Sequence, residues 1–534
     1  MVYSFDSLVP SSGFRWTPCF DHFTCTVLDV PLDYEDDSVG TTGIAFIRWV
    51  ANSTTNATQD ILVNPGGPGT SGVSLVLSGL PAVQQIIGTD HNIIGFDPRG
   101  VNNSGPDLSC FPGQKGTFNL YDKEFGYPTN VNDTKALKET WIEAGGFGDW
   151  CSQVHSNENS TAKYANTVAT ATDMLRYTEL LAESKGEDPA DSQLWYYGAS
   201  YGTVLGSTFA TLFPNRVGRL ILDGVVDAED YYQGKWQANL PDADEAFTTF
   251  FNYCFEAGNE ACAFWDSSVD AIQARFQAVV DKITEEPIIV TNRSAVQYPI
   301  VVTIRTFKYV LAQMVYFPNA NFPLLARILA GLEQGDGALL AQIARAGVRT
   351  DECSTPNIDD VPDIEPGHFI ACTDSNGRFN LSTFEAFEAH AELLVDESAY
   401  LGDAWAAATS VNCRSLNIKA PESQILTGTP SSNSTSNPIL FLSTKLDPVS
   451  PLRAAEKMAK RFGGAHLLVQ NSVGHTTTSA ASTCTWEHVK RYVRDATLPE
   501  EGTVCEADEV PFRARNSSTP TDVLLSILAK RHLV

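Results

Sequence analysis

The sequence predicts an α/β protein, with a mostly parallel central sheet, helices on both faces and a large, mainly helical insertion. Three observations predict it. Over the first two hundred residues, short apolar runs that break on Gly or Pro alternate with helical patterns, the rhythm of βαβ units. The rhythm lapses from about Ala228 to Gly428, then resumes after the polar connector TGTPSSNSTSNP (427–438). The chain, at 534 residues, is also longer than one hydrophobic core normally grows.

The elements follow in order. TCTVLDVPL (24–32) and TGIAFIRWV (42–50) read as an opening pair of strands. DILVNPGG (60–67), NIIGFDPRG (92–100), QLWYYG (193–198) and GRLILDG (218–224) are the near-continuous apolar runs expected of buried parallel strands. Between Tyr164 and Ser184, Val168, Met174, Leu175, Leu180 and Leu181 recur at helical spacing. The insertion shows little strand alternation beyond a pair of valine-rich segments near 290 and 301. ILFLSTKLDP (439–448), a helix through Arg461 and HLLVQNSVGH (466–475) complete the pattern. The expected organisation is a core formed by residues 1–227 and 437–534, split by a helical cap over 228–436. No internal repeat is present.

Hydrophobic residues at 43% and charged residues at 19% describe an ordinary globular chain. The net charge of −28 excludes nucleic acid and anionic membrane surfaces as expected partners, because both repel such a surface. No apolar run is long enough to span a bilayer. Eleven cysteines without CxxC or Cys/His ligand spacing point to disulfides rather than a metal site. Cys19 and Cys25 are close in sequence, as are Cys254 and Cys262, and Cys484 and Cys505 flank one predicted helix. Cys110 with Cys151 and Cys372 with Cys413 would close longer loops and leave Cys353 over; sequence alone does not determine the pairing. Nine N-x-S/T sequons, at Asn52, Asn56, Asn102, Asn132, Asn159, Asn292, Asn380, Asn433 and Asn516, add to the expectation of a secreted glycoprotein. The opening MVYSFDSLVPSSGF has neither a basic n-region nor an apolar h-region, so no signal peptide is visible.

The chemistry is expected at Gly198-Ala199-Ser200-Tyr201-Gly202, the sole G-x-S-x-G of the chain. An apolar strand precedes it and a helix rich in small residues follows, the context of a nucleophile elbow that projects a serine hydroxyl from the sheet. Such a hydroxyl needs a base and the base an orienting acid, in the chain order Ser, acid, His. Six histidines follow Ser200. His368 and His390 fall in the cap, His466 starts a strand, His488 sits in a helical pattern and His532 in the tail. His475 alone lies in a Gly-containing loop just past a terminal strand and is the expected base. Asp447, at the end of the preceding strand, is the expected acid, with Asp223 and Asp227 as rivals. The oxyanion hole is expected from the backbone N–H groups of Tyr201 and of Gly67 in NPGGPGTSG (64–72). Asp97 and Arg99 in FDPRG read as braces for these loops.

Beyond the isolated motifs, the chain resembles the secreted tripeptidyl-aminopeptidase-like branch of the proline iminopeptidase family of α/β-hydrolases. The resemblance runs from Trp16 to Tyr34 (W-x-x-C with VPLDY) through NPGGPG, GFDPRG, GASYGT, LFPNRVGRLILDGVVD and LDPVSP to the Cys484–Cys505 stretch. It implies an α/β-hydrolase fold with a cap inserted after the strand ending near Asp223. It also implies a triad of Ser200, Asp447 and His475, with no metal or cofactor. The cap segment AFTTFFNYCFEAGNEACAF (246–264) is similar too, which supports a Cys254–Cys262 bridge. The implied activity is removal of short peptides or single residues from free N-termini. An esterase, lactonase or amidase acting on small acyl substrates with the same triad is the alternative. The loop has Asn64-Pro65 where iminopeptidases usually carry His. Acidic residues that could hold a substrate amino group are Asp227 and Glu229, with Asp230, Asp242, Asp244 and Glu245 nearby.

Overall fold

The computed structural model describes residues 1–52, 54–55, 58–112, 128–157, 159–345 and 365–513. Cys353, Asn56 and Asn516 lie outside the described residues. Among the described residues ten strands form one sheet: β1 (Thr17–Cys19), β2 (Phe23–Pro31), β3 (Thr41–Trp49), β4 (Asp60–Asn64), β5 (Asn92–Phe96), β6 (Leu194–Ala199), β7 (Val217–Asp223), β10 (Leu440–Leu446), β11 (His466–Val473) and β12 (Val504–Glu506). Two more, β8 (Ile288–Val290) and β9 (Ile300–Val302), pair antiparallel within the insertion. The large sheet runs β1-β2-β3-β5-β4-β6-β7-β10-β11-β12. Strands β1, β2, β3 and β5 pair antiparallel, and every pairing from β5 across to β12 is parallel. The chain therefore leaves β4 toward β5, then crosses back to place β6 on β4's other side. This is the switch point where an open α/β sheet forms a crevice at its carboxyl edge.

Strand periodicity divides the core in two. Leu62, Ile94, Tyr196, Leu220 and Phe441 face one apolar cluster, with helices Thr167–Lys185 and Tyr201–Leu212. Their neighbours Ile61, Ile93, Tyr197, Ile221, Leu440 and Leu442 face the other, beneath helices Gly72–Ile87 and Thr483–Asp495. Both faces are buried, which is why these strands read as continuous apolar runs rather than alternating ones. The expected strands are present, most within a residue or two of the predicted runs, while β4 stops at Asn64 and β5 at Phe96, before the Pro- and Gly-containing turns that close those runs. The three-residue edge strands β1 and β12 were not anticipated.

Between β7 and β10 the chain builds helices from Ala228–Gln233 to Gly402–Ala408, with the β8–β9 hairpin as their extended pair. Phe247, Phe250, Phe251, Phe276 and Phe322 contact one another there, several edge to face. Helix Thr134–Val154, from the first segment of the chain, joins this layer. Trp141 Nε1 donates to Leu381 O at 2.9 Å, the Arg414 guanidinium covers the Trp141 ring at 3.4 Å, and Asn417 N donates to Ser152 Oγ at 2.8 Å.

Among the described residues five disulfides link Cys19–Cys25, Cys110–Cys151, Cys254–Cys262, Cys372–Cys413 and Cys484–Cys505. Among the described residues, no helix is long and apolar enough to cross a membrane.

Candidate active site

The carboxyl edge of the switch point brings together the residues that the sequence marks as candidates. Ser200 follows β6 at φ 55°, a left-handed conformation that costs a non-Gly residue energy and persists only where its surroundings enforce it. They do. Ser200 N donates to Asp223 O at 2.9 Å, and Thr203 N returns to Ser200 O at 2.8 Å. A Cβ on Gly198 would stand 2.4 Å from Gly202 O, so strand and helix approach this closely only through glycine. Ser200 occupies the N-cap of helix Tyr201–Leu212 without its side chain capping the helix. The Oγ is thus spared from backbone duty, beside a helix N-terminus whose partial positive charge favours a developing anion.

The β4 loop reaches the same point. Gly66 has φ +104°, and a Cβ there would lie 2.5 Å from Ala199 O and 2.7 Å from Ser200 Cβ. Asn64 Oδ1 accepts from Gly66 N at 2.9 Å and so shapes the turn. Gly67 and Tyr201 both line the cavity in front of Ser200. FDPRG braces this region from below. Asp97 accepts from Ser71 Oγ at 2.5 Å and from Val73 N at 3.2 Å, pinning the start of helix Gly72–Ile87. Arg99, fully buried, binds Asp173 through two nitrogens and donates to the carbonyls of Pro31 and Leu32.

His475, on the loop after β11, lines the same cavity as Ser200. Its Nδ1 stands 3.0 Å from both oxygens of Asp447, which is wholly buried at the end of β10. The carboxylate also accepts from Val449 N (3.0 Å), Ser450 N (2.8 Å) and Thr476 N (3.0 Å). Donors from both loops therefore hold it in place while it orients the imidazole. Tyr316 of the insertion packs edge-on against His475 at 5.2 Å, and Tyr316 O accepts from His475 N.

The rival acids do other work. Asp223 accepts from Tyr197 OH (2.8 Å), Thr477 N (2.8 Å) and Thr477 Oγ1 (2.6 Å), so it anchors the loop that carries His475. Burial pushes its carboxyl above the usual range, opposed by the bonds from Thr477 and Tyr197. Asp227 caps helix Ala228–Gln233 and pairs with Lys457 at 2.6 Å. Glu229 pairs with Lys457 at 2.9 Å and Arg461 at 2.7 Å, and the Lys457 hydrogen bond lowers its carboxyl. Neither Asp227 nor Glu229, the residues expected to hold a substrate amine, is among those lining the cavity. Asp244 is likewise engaged, with Ser398 Oγ and the backbone of Ala399 and Tyr400.

The outer wall comes from residues that the sequence reading did not single out. Tyr231, Trp236, Asn239, Tyr316 and Trp405 of the insertion face Ser200, together with Val226 and Val449. The clustered aromatics of DYYQGKW (230–236) were the one available signal; nothing marked Trp405 or Tyr316. Helix Glu365–Ser375 clamps the site from outside. A Cβ on Gly69 of the β4 loop would meet Gly367 N at 2.6 Å, so the two backbones touch. At the other end of this helix, Asp374 accepts from Thr167 N (2.9 Å), Thr167 Oγ1 (2.5 Å) and Tyr231 OH (2.7 Å). Thr167 Oγ1 also meets Tyr201 OH at 2.5 Å. Burial raises the Asp374 carboxyl to about 6, against the pull of the Thr167 and Tyr231 bonds.

Residues 61–275 match the model described as alpha/beta hydrolase fold, and 398–505 match that of TAP-like protein. Serine protease Hip1 of Mycobacterium tuberculosis (strain ATCC 25618 / H37Rv) is 25% identical over 92% of this chain and 90% of its own length. Tripeptidyl aminopeptidase of Streptomyces lividans is 24% identical over 94% and 88%. Carboxylesterase B of the same M. tuberculosis strain is 24% identical over 90% and 86%. With its sheet order, its elbow and both matched segments, the chain has the α/β-hydrolase fold with a C-terminal part similar to TAP-like protein, and it is a serine hydrolase.

Proposed function

We propose that this serine hydrolase is an exopeptidase that removes short peptides or single residues from free N-termini. The observation that carries the reading is one cavity lined by Gly67, Ser200, Tyr201 and His475, with His475 Nδ1 3.0 Å from Asp447. In this reading Ser200 Oγ attacks the scissile carbonyl as His475 takes its proton, and Asp447 steadies the imidazolium. The N–H groups of Tyr201 and Gly67 receive the oxyanion. His475 then protonates the leaving amine, and water releases the acyl group by the reverse path. The covering insertion favours chain ends over internal bonds. The peptidase relatives support the same class of substrate.

A second reading, an esterase or amidase on small acyl substrates, has its own support. Among the described residues lining the cavity none is a carboxylate and four are Tyr or Trp of the insertion, and Carboxylesterase B is a relative. Peptide nitroanilides with free and acetylated N-termini, beside short-chain esters, separate the two. Turnover only of free-amine peptides supports the exopeptidase. Equal rates on free and blocked peptides remove it, and ester turnover alone selects the second reading.

Secretion and glycosylation belong to the same proposal. The five disulfides suit an oxidising compartment. Asn52, Asn102, Asn132, Asn159, Asn292, Asn380 and Asn433 are all exposed, as glycan acceptors must be. Protein made in a glycosylating host should lose mass on glycosidase treatment; an unchanged mass counts against the glycans.

A further inference from the structure

A second cavity shares His475 with the first. Leu75, Val83 and Ile86 of helix Gly72–Ile87, Pro65 of the β4 loop and Phe317 of the insertion line it, and His475 lines both it and Ser200's cavity. The hydroxyls around it have partners: Tyr197 OH donates to Asp223 at 2.8 Å, and Thr476 Oγ1 and Thr478 Oγ1 bond each other at 2.6 Å. Water there would find few partners, whereas an apolar group loses nothing by entering.

The chemistry of acyl transfer says which group this is. The acyl half of a substrate, bonded to Ser200 with its oxygen at Gly67 and Tyr201, fills the first cavity. The leaving half must sit against His475, because that residue delivers its proton. We propose that the second cavity is a leaving-side subsite, receiving the apolar side chain (aliphatic or aromatic) of the residue that follows the scissile bond. In an ester substrate it would receive the alkyl part of the alcohol. The inference rests on the acyl-transfer reading of Ser200 and His475, but not on the choice between peptide and ester.

Interception of the acyl-enzyme tests it directly. An added amine attacks the acyl carbon, the bond from that carbon to Ser200 Oγ breaks, and the amine's proton passes through His475 to Oγ. A tripeptide methyl ester serves as acyl donor, or a short-chain acyl methyl ester if peptides are not accepted. Glycinamide, leucinamide and phenylalaninamide compete with water, and mass spectrometry gives the ratio of aminolysis to hydrolysis. Leucinamide should intercept about tenfold better than glycinamide, the discrimination an apolar pocket typically provides. Val83→Trp, which fills the cavity, should bring that preference down to near unity. Ile86→Ala, which enlarges it, should shift preference from leucinamide toward phenylalaninamide and stands in if the tryptophan variant does not fold. Each preference is a ratio within one protein, so a change in overall activity does not disturb it. Equal interception by glycinamide and leucinamide in the unsubstituted protein would overturn the subsite, as would a preference that neither variant moves. Absence of both turnover and fluorophosphonate labelling would instead overturn the acyl-transfer reading beneath it.

Discussion

The two walls of the candidate site are built on opposite principles. The sheet side is polar and over-determined. Asp447 alone receives three backbone N–H groups besides His475, and Ser200 is forced to φ 55° between two backbone hydrogen bonds. The insertion side offers mostly aromatic surface, with Trp236, Trp405, Tyr231 and Tyr316 toward the serine. The contrast separates two jobs. Reacting atoms have to be held to a fraction of an ångström by backbone that has no alternative, while an aromatic wall confers shape and tolerates exchange.

Substitutions on the sheet side should therefore be the most damaging. Ser200→Ala should lower kcat by about 10⁶-fold and abolish fluorophosphonate labelling, with thermal unfolding little changed. Retention of labelling would assign the nucleophile elsewhere. Next comes the pair of buried acids. Asp447→Asn should cost about 10⁴-fold in kcat, by favouring the wrong imidazole tautomer. Asp223→Asn, which loosens the His475 loop without touching the ring, should cost only about 10- to 100-fold while lowering the unfolding temperature. Steady-state kinetics and calorimetry on both proteins check this; a reversed order would exchange their roles.

On the insertion side, Trp236→Ala and Trp405→Ala should act through shape. Each should raise KM by about 10-fold for bulky acyl groups and much less for small esters, as loss of an apolar contact does. A uniform fall in kcat on all substrates would instead give these rings a part in the chemistry.

The smallest effect concerns pH. His390, buried in the insertion, accepts from Gln237 Nε2 at 3.2 Å, and burial lowers its pKa to about 4. Because the folded value lies below the ordinary 6.5, neutral His390 contributes stability above pH 6.5, and this is lost as pH falls toward 4. Asp230 and Asp374, both raised to about 6 chiefly by burial, act with the opposite sign, since what they contribute is lost as pH rises through 6. The His390 contribution is isolated by difference. Unfolding of the unsubstituted protein and of His390→Gln, compared between pH 7 and 4.5, should converge by no more than about 3 kcal/mol as pH falls. A constant gap would leave His390 without a titrating role.

The same contrast decides what was legible in the sequence. The elbow could be read because sterics leave few residues for its turns: a Cβ on Gly198 would meet Gly202 O at 2.4 Å, and Gly66 abuts Ser200. The buried strands could be read because both faces are covered. β1 and β12, at three residues each, carry too little pattern to register. Asp227 and Glu229 looked available for a substrate because their partners, Lys457 and Arg461, lie some 230 residues further along the chain. Trp405 and Tyr316 were illegible for the opposite reason: an aromatic in a helical stretch reads the same whether it faces a core or a cavity. The N-terminal part of the chain also holds helix Thr134–Val154, whose Trp141 is committed to residues 381 and 414, a relation no local pattern records.

That helix has a consequence for how the protein is made. Trp141 bonds to Leu381 across 240 residues and to Arg414 across 273. At ribosomal speeds of about 5–20 residues per second, its indole waits roughly 12–50 s for its first partner. Through that interval a large aromatic surface stands open on a nascent chain, a stretch during which a chaperone's grip counts for more than the final stability does. Fusions or truncations that end between residues 155 and 380 leave this helix permanently without its cover, and insoluble product is the expected result.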